Sequence, residues 1–244
     1  MLLAVDIGNT SIKFGLFEGE KLTSKFSVPT QRDATPDEIK LDLADRMPKS
    51  IESAIVCSVV PEIGPAIRSV LRDATSVEPV FVNNSFDFGL KINYEPLDSL
   101  GTDRLVTAYS AVEKYGAPCI VCSLGTATTI DVVSGEREFL GGIIAPGVDS
   151  MAEALHLKAP RLPVIEVSRP VDLLGRSTEE SINTGIYHGY VAMVEGLIGR
   201  ARTQTGVGRA IATGGNAVRL SEEFGGILIV EEDLLLEGLR RLSF

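Results

Sequence analysis

LLAVDIGNTSIKFGLFEGEKL, residues 2–22, aligns without a gap with CIVCSLGTATTIDVVSGEREF, residues 119–139. Each stretch starts with an apolar run typical of a buried strand, passes through a glycine turn at Gly8 or Gly125, and continues as a second apolar strand. The correspondence predicts that the chain contains two copies of one strand–turn–strand unit. Two unrelated hairpins would give a similar pattern, because such sequences are common, and this alternative stays open at the level of the sequence.

The rest of the chain alternates short apolar strands with helical patterns. We expect strands at residues 54–59, 79–82 and 209–213, and helices at residues 61–74, 101–115 and 177–202, with a short helix after Gly214 and Gly215. Ser177 and Glu180 have the spacing of a capping box at the start of the longest helix. The alternation predicts an α/β fold of two lobes, with mixed sheets flanked by helices. Residues 1–117 are expected to form the first lobe and residues 118–244 the second.

The charge of the chain limits the class of ligand that it can bind. The formal net charge is -10 and the pI is near 4.8. A nucleic-acid-binding surface needs clustered Lys and Arg, so the composition argues against one. It does not argue against a phosphorylated ligand, because backbone amides and one metal ion can hold phosphate groups in an acidic protein.

The apolar run at the N-terminus ends at Val5, which is too short for a signal peptide or a membrane span. We therefore expect a cytoplasmic protein that binds neither nucleic acid nor a membrane. Cys119 and Cys122 form a C-x-x-C, which is also the spacing of zinc and redox motifs. Their apolar surroundings favour core positions on a buried strand instead.

The two glycine turns suggest phosphate chemistry. Without a Cβ, Gly8 and Gly125 let the backbone approach a ligand closely, and backbone amides can cradle phosphate oxygens. Asp6 stands at the end of the first strand, where a carboxylate could hold Mg²⁺ directly or through water, although an ordinary turn residue would also fit there. The direction of Lys13 is open between solvent and a phosphate contact. Neither turn matches the G-x-x-x-x-G-K-[ST] phosphate loop or the G-x-G-x-x-G dinucleotide fingerprint, so these two kinds of site are set aside.

Four motifs follow one another along the chain: D-I-G-N-T at residues 6–10, G-T-D-R at residues 101–104, L-G-T-A-T-T-I-D at residues 124–131 and T-G-G at residues 213–215. Together they resemble the type III pantothenate kinases, and the resemblance covers essentially the whole chain. That family belongs to the acetate/sugar kinase, Hsc70 and actin superfamily, which implies a duplicated actin-like (ribonuclease H-like) fold. The resemblance also implies transfer of a phosphoryl group from ATP to the primary hydroxyl of pantothenate, the first step of coenzyme A biosynthesis.

The resemblance further implies how ATP and its metal ion would be bound. Asp6 would position Mg²⁺. The ATP phosphates and adenosine would be held by the following residues: Asp6, Gly8, Asn9, Thr10, Lys13, Gly125, Thr126, Thr128, Gly214 and Gly215. The family is dimeric and typically needs a monovalent cation, K⁺ or NH₄⁺, besides Mg²⁺.

For the acceptor substrate, the resemblance implies that Asp103 is the base that takes the proton of the attacking hydroxyl. From the residue alone, a surface salt bridge at a helix start, where an acid interacts favourably with the helix dipole, is the simpler explanation. Arg104 would hold the polar end of pantothenate, because a planar guanidinium suits a carboxylate. Further substrate-binding residues would be Tyr94, Gly101, Thr102 and Thr178, the last of them across a dimer interface.

The sequence departs from the family at Ser123, where the second turn usually begins with an aspartate. A hydroxyl is neutral and a weaker ligand, so the monovalent-cation site expected there is in doubt, and transition-state stabilisation would lose one charge. Three hypotheses follow. The enzyme works with Ser123 and a water, it has another substrate or donor, or it is a non-catalytic or regulatory paralogue, like the members called Bvg accessory factors, that binds nucleotide or pantothenate.

Overall fold

The structure is a computed structural model that describes residues 1–44, 46–48, 50–76, 78–225 and 228–243. Contacts divide the chain into two compact units. The first contains Met1–Leu90, Tyr94–Ser110 and Leu234–Phe244, and the second contains Lys91–Asn93 and Ala111–Asp233. The predicted boundary between residues 117 and 118 concerns the two copies of the repeat, and it stays a prediction.

The first unit is built on a five-stranded sheet with the order β3-β2-β1-β4-β5. Its strands are β1 (Leu2–Ile7), β2 (Ser11–Glu18), β3 (Lys21–Pro29), β4 (Ser53–Ser58) and β5 (Val80–Phe81). The pairs β1–β2 and β2–β3 are antiparallel, whereas the pairs β1–β4 and β4–β5 are parallel. The sheet is therefore mixed, as predicted.

Alternation along β1 sends its side chains to two different faces of the sheet. Leu3, Val5 and Ile7 enter a core that also contains buried residues of α1 (Pro36–Leu43) and α2 (Gly64–Thr75). Asp6 consequently points to the opposite face. There, α7 (Leu234–Leu242) contacts β1, β2 and β4, while α3 (Thr102–Tyr115) begins within this unit.

The second unit is built on a six-stranded sheet with the order β11-β10-β7-β8-β9-β6. Its strands are β6 (Lys91–Ile92), β7 (Cys119–Leu124), β8 (Ala127–Val133), β9 (Glu138–Pro146), β10 (Ala210–Thr213) and β11 (Ile229–Val230). Its helices are α4 (Val148–Lys158), α5 (Thr178–Thr205) and α6 (Gly215–Arg219). The buried side chains of α5 pack on the face of β7 and β8 that carries Ile120, Cys122 and Ile130.

The two sheets confirm the duplication. In the second sheet the order β9-β8-β7-β10-β11 repeats β3-β2-β1-β4-β5, with the same parallel and antiparallel neighbours, and β6 is added at one edge. Strands β1 and β7 also share one burial pattern, with every residue buried except the next to last. Two unrelated hairpins would not share five strand positions, so that alternative is wrong.

The long helix α5 starts close to where its cap predicts, but the predicted capping box is only half correct. The Ser177 hydroxyl accepts a hydrogen bond from the Glu180 N–H, as expected. The Glu180 carboxylate, however, accepts from the N–H of Arg176 (2.6 Å) rather than from that of Ser177. A complete capping box occurs instead at α1, between Thr35 and Glu38. Such a cap contributes about 1 kcal/mol to helix stability.

The two cysteines of the C-x-x-C are core residues of β7, as the apolar surroundings predict. Cys119 and Cys122 are buried free thiols, and burial raises the pKa of Cys119 to about 11. Among the described residues, no group of three or more His, Cys, Asp and Glu side chains is arranged to hold a metal ion. No helix in the described ranges is both long enough and apolar enough to cross a membrane.

Candidate active site

The turn between β1 and β2 is closed by its own backbone and by one side chain from the end of β3. The Gly8 N–H donates to the Ser11 carbonyl (3.1 Å), and a Cβ at Gly8 would lie 3.2 Å from that same oxygen. The Thr30 hydroxyl donates to the Gly8 carbonyl (2.7 Å), and the Thr30 N–H donates to the Thr10 carbonyl (3.0 Å). Four residues therefore hold one defined turn in which Asn9 and Thr10 are exposed.

Asp6 lies beside this turn in a strongly charged environment. Its antiparallel partner is Lys13 and its parallel partner is Cys57, so all three side chains are on one face of the sheet. Burial raises the pKa of Asp6 to about 6, with Lys13 opposing the shift and the negative charge of Asp103 adding to it. The side chain of Lys13 shares the face of Asp6, and its contact with a phosphate stays a prediction.

Asp103 is the second residue of α3 and points back over the residue before the helix. A Cβ on Gly101 would collide with Asp103 Oδ1, so only glycine leaves room for this carboxylate. Burial raises the pKa of Asp103, while the backbone N–H and the charge of Arg104 lower it. Burial and the charges of Asp6 and Asp103 hold the pKa of the Cys57 thiol well above its usual range. The two carboxylates predicted from separate motifs therefore lie close together within the first unit.

Arg104 follows Asp103 and is only 5% exposed. Its guanidinium carbon lies 5.5 Å from the centre of the Tyr94 ring, which is cation–π distance. This contact and the burial restrain the guanidinium, and such a planar group can recognise a carboxylate with two parallel hydrogen bonds.

The second turn, between β7 and β8, is held from three sides within its own unit. The Thr126 carbonyl accepts from the Gly147 N–H (2.9 Å) and from the Ser150 hydroxyl (2.8 Å). The Gly125 carbonyl accepts from the Asn216 side-chain amide (3.5 Å). Gly147 approaches so closely that a Cβ there would collide with the Gly125 carbonyl oxygen.

The threonine and serine of the second turn are placed differently from each other. Thr128 is 1% exposed, and its hydroxyl lies 2.7 Å from the Tyr190 hydroxyl. Ser123 lies on the opposite face of β7, with Thr129 and Thr213 as its neighbours across the sheet. The Thr129 hydroxyl donates to the Asp131 carboxylate (3.3 Å), and the Thr213 hydroxyl donates to the Glu232 carbonyl (3.1 Å).

The T-G-G motif lies against the second turn. Gly214 has φ = 92°, which favours glycine, and a Cβ there would lie 2.7 Å from the Leu124 carbonyl oxygen. Gly215 starts α6, whose next residue, Asn216, reaches the Gly125 carbonyl. Two motifs separated by nearly a hundred residues thus meet within one unit.

Thr178 belongs to a separate feature of the second unit. It is the first residue of α5 and lines a cavity of about 750 Å³ together with Arg176, Ser177, Leu155 and Leu162.

Four contacts at these turns come from residues that the sequence patterns do not mark as functional. Thr30, Asn84, Gly147 and Asn216 each bind the backbone or side chain of a motif residue. A fifth is Arg32, whose guanidinium donates to Asn9 Oδ1 (2.6 Å). Only Gly147 stands in a conspicuous glycine- and proline-containing segment; single polar residues in loops carry no periodic signal.

The sheets and their turns identify the fold class of the protein without reference to a sequence family. Two α/β units with one strand order, each with a glycine turn between its first two strands, are the architecture of the actin-like kinases and their relatives. One solved structure with this fold, described as a Baf family transcriptional activator from Campylobacter jejuni, has a TM-score of 0.63, 20% identity, and covers 98% of this chain and 96% of its own. A polyphosphate/ATP-glucomannokinase from Arthrobacter sp. strain KM has a TM-score of 0.51 and 16% identity, covering 99% and 98%. At such identities the likeness shows the fold alone.

The sequence relatives identify the family. The family model of the type III pantothenate kinases matches residues 2–200. A type III pantothenate kinase from Acidiphilium cryptum is 40% identical over 250 residues, covering all of this chain and 94% of that protein. Another, from Roseiflexus sp. (strain RS-1), is 38% identical over 247 residues, covering 98% and 97%. The chain belongs to the type III pantothenate kinase family, and the predicted resemblance is confirmed.

Proposed function

We propose that the protein transfers the γ-phosphoryl group of ATP to the primary hydroxyl of pantothenate and forms 4′-phosphopantothenate, the first step of coenzyme A biosynthesis. The observation that carries the proposal is the pair of adjacent carboxylates, Asp6 and Asp103, in a chain of this kinase family. One carboxylate can serve the phosphoryl donor and the other the attacking hydroxyl, which is the division of labour that phosphoryl transfer needs.

Asp103 acts as the base in this proposal. The hydroxyl of pantothenate attacks the γ-phosphorus, and Asp103 accepts the proton that this hydroxyl loses. Burial raises the pKa of Asp103, which makes it a stronger base than an exposed aspartate, while the N–H and the charge of Arg104 oppose this shift of the pKa. Gly101 supports this role because its missing side chain is what allows the carboxylate to turn back over the helix start.

Arg104 binds the carboxylate of pantothenate. Its guanidinium is buried and stacked on Tyr94, so little side-chain entropy is lost when it forms two hydrogen bonds to a carboxylate. Thr102 and Gly101 complete this part of the pocket.

The glycine turns bind ATP. In the first unit, Gly8, Asn9, Thr10 and Lys13 face the triphosphate, and Lys13 is supported as a phosphate ligand by its position beside Asp6. In the second unit, the binding residues are Gly125, Thr126, Thr128, Gly214 and Gly215. The carbonyl oxygens of Gly125 and Thr126 accept hydrogen bonds from protein donors. They therefore point away from an anionic ligand, which their partial negative charge would repel. Because the Thr128 hydroxyl is paired with Tyr190, its contribution to phosphate binding would be through the backbone.

Mg²⁺ would be held by Asp6. The donor set fits this ion, because Mg²⁺ commonly uses one or two carboxylates together with phosphate oxygens of the substrate. A buried carboxylate whose pKa is raised to about 6 by burial and by Asp103 is also a group whose charged form a cation would stabilise. When bound there, Mg²⁺ would neutralise negative charge that develops during the transfer.

The side chains around Ser123 do not favour a bound monovalent cation such as K⁺ or NH₄⁺. Ser123 stands where a carboxylate ligand is expected, and the hydroxyls of its neighbours Thr129 and Thr213 are directed to other acceptors. These neutral groups do not fit a cation site that depends on a carboxylate. We therefore expect turnover to respond only weakly to K⁺, and no step of the reaction depends on this cation here.

A homodimer and a cytoplasmic location complete the proposal. Thr178 would reach pantothenate bound by the partner subunit. The second unit carries strongly exposed apolar side chains near this helix, which a dimer interface would cover: Leu157, Val164, Val171, Leu173 and Leu174. The cytoplasm is the compartment that supplies ATP.

The non-catalytic or regulatory alternative rests on Ser123 alone. The Campylobacter jejuni structure gives it no support, because 20% identity shows the fold and not the activity. The relatives at 38% and 40% identity are named type III pantothenate kinases. No observation favours the hypothesis of a different substrate or phosphoryl donor.

The test is turnover of the purified protein with pantothenate and Mg-ATP, with direct detection of 4′-phosphopantothenate. Asp103→Asn should lower kcat by at least about 100-fold, because it removes the base. Asp98→Asn is the matched control, since Asp98 is an exposed acid in the loop that leads to α3. Absence of product from the native protein, with a folded and ATP-binding chain, would refute the proposed function.

A further inference from the structure

Asn84 lies next to the proposed base without belonging to any of the four motifs. It follows β5, a strand that runs parallel to β4, which in turn runs parallel to β1. The carboxyl ends of parallel strands meet at one edge of a sheet, and this is the edge where ligands bind in open α/β sheets. Asn84 is therefore at the same edge as Asp6 although 78 residues separate them in the chain (84 − 6).

The side-chain amide of Asn84 connects three points of the segment that precedes Asp103. Its Nδ2 donates to the Leu97 carbonyl (2.9 Å) and to the Leu100 carbonyl (2.7 Å). Its Oδ1 accepts from the Thr102 hydroxyl (2.7 Å). An amide has two donor hydrogens and two acceptor sites, so three of its four hydrogen-bonding positions are used on this one segment.

This segment determines where the Asp103 carboxylate lies. Leu97–Ser99 forms one short 3-10 turn, Leu100 is buried, and α3 begins at Thr102. The Asp103 carboxylate is folded back against Gly101, in the middle of the segment that Asn84 holds. On the helix side, the Thr107 hydroxyl donates to the Asp103 carbonyl (2.6 Å). The backbone of Asp103 is thus fastened inside the helix by Thr107, while its approach to the helix is fastened by Asn84.

We propose that Asn84 is a positioning residue for phosphoryl transfer, whose side-chain amide fixes the start of α3 so that Asp103 meets the attacking hydroxyl. The inference rests on the proposed function, because it assigns Asn84 to the reaction that Asp103 serves. Asn84 itself contacts no reacting atom in this mechanism. A displacement of a catalytic group by about 1 Å can cost on the order of 100-fold in rate, which is the scale on which three lost hydrogen bonds would act.

The neighbouring Asn83 offers a matched control. Its Oδ1 accepts from the N–H (2.9 Å) and the hydroxyl (2.6 Å) of Ser85, so its amide closes a local turn. Both residues are asparagines in the same loop, yet in the described contacts only Asn84 bonds to the 97–102 segment. A general effect of weakening the loop would appear in both variants, whereas an effect on Asp103 would appear in one.

The experiment measures kcat, the KM for each substrate and the Tm of the native protein, Asn84→Ala, Asn83→Ala and Thr102→Val. Asn84→Ala should lower kcat by about 10- to 100-fold while the KM for ATP changes by less than about twofold. Asn83→Ala should keep the native kcat. Thr102→Val removes the hydroxyl that Asn84 accepts from, and it should lower kcat in the same direction while the KM for pantothenate, which a lost substrate contact would raise, changes by less than about twofold. Thr102→Ser retains this donor and should keep a higher kcat than Thr102→Val.

Each result decides the proposal. Native kcat in Asn84→Ala overturns it, and so does an equal loss of kcat in Asn83→Ala. If Asn84→Ala does not fold, Thr102→Val decides, and an unchanged kcat in that variant overturns the positioning role. Absence of turnover from the native protein is a different failure: it refutes the proposed function, and the role of Asn84 in it falls as well.

Discussion

The two glycine turns stand on the same frame of strands but differ in charge. Asp6 and Ser123 are the next-to-last residues of β1 and β7, each with one antiparallel and one parallel neighbour. The neighbours of Asp6 are a lysine and a cysteine, whereas those of Ser123 are two threonines. Duplication of the fold has therefore not preserved duplicated chemistry. The position beside the first turn carries a carboxylate with a lysine as its neighbour, whereas the equivalent position beside the second turn carries a hydroxyl with two threonines as its neighbours and a tightly held backbone.

The largest expected effect comes from exchanging the two equivalent residues for neutral ones. Asp6→Asn should lower kcat by about 100- to 1000-fold, because it removes a preorganised charge beside the phosphates. Ser123→Ala, at the same position of the other unit, should cost less than about tenfold, the scale of one net hydrogen bond. Steady-state kinetics at saturating substrates, with Tm as the check on folding, measure both. Equal losses would mean that the two turns share the charge-dependent work after all.

A second prediction concerns the backbone that fastens the second turn. Gly147→Ala should lower the free energy of unfolding by about 1–3 kcal/mol, because the new Cβ would collide with the Gly125 carbonyl and lie 2.7 Å from that of Thr126. Gly125→Ala is the matched variant, since its Cβ would meet nothing closer than 3.8 Å. Urea unfolding of both variants measures the difference. A Gly125→Ala variant as unstable as Gly147→Ala would contradict this account of the second turn.

The third prediction is a pH dependence confined to the first unit. The carboxyl of Asp6 has a native pKa of about 6, above its ordinary value of 3.8. Between these two values the native state keeps a proton that the unfolded state has released, so the free energy of unfolding falls as the pH rises from about 4 to about 6. Native protein should accordingly lose stability relative to Asp6→Asn across this range, while Ser123→Ala follows the native protein. If the free energy of unfolding has the same pH dependence in the native protein and in Asp6→Asn, burial does not raise the pKa of the Asp6 carboxyl.

The smallest expected effect is that of Ser123→Asp, which gives the second unit the aspartate that the first unit has at the equivalent position. Ser123→Asp places a carboxylate where the second unit lacks one, and it should make turnover and Tm severalfold more responsive to KCl than to choline chloride at equal ionic strength. The native protein should respond nearly equally to the two salts. A native enzyme that requires K⁺ would show that neutral groups around Ser123 are sufficient for a cation, and it would weaken the contrast between the two turns.

The sequence predicts the frame better than the details that complete it. The repeat at Asp6 and Ser123 could be recognised in the sequence because both turns follow apolar strands. Helix α3 starts within one residue of its predicted position. The helices α1, α4 and α7 were not predicted, because each spans only about two or three turns, which gives too few repeats of the helical period to recognise. Asn84 and Thr30 escaped for another reason: each acts through hydrogen bonds to distant backbone, which leave no pattern around the residue itself. Glu180 misled because a capping acid can bond to either of two adjacent N–H groups.

Helix α7 belongs to the first unit although it follows the whole second unit in the chain. Helix α7 packs on β1, β2 and β4, with Leu236 beside Gly15 and Gly238 against Val106. Leu234 and Leu239 are fully buried. During synthesis on the ribosome, all strands of the first sheet emerge well before this helix, whereas the second unit is complete when residue 233 emerges. The first unit, which carries Asp6 and Asp103, thus receives the apolar cover of α7 only after the whole second unit has been synthesised.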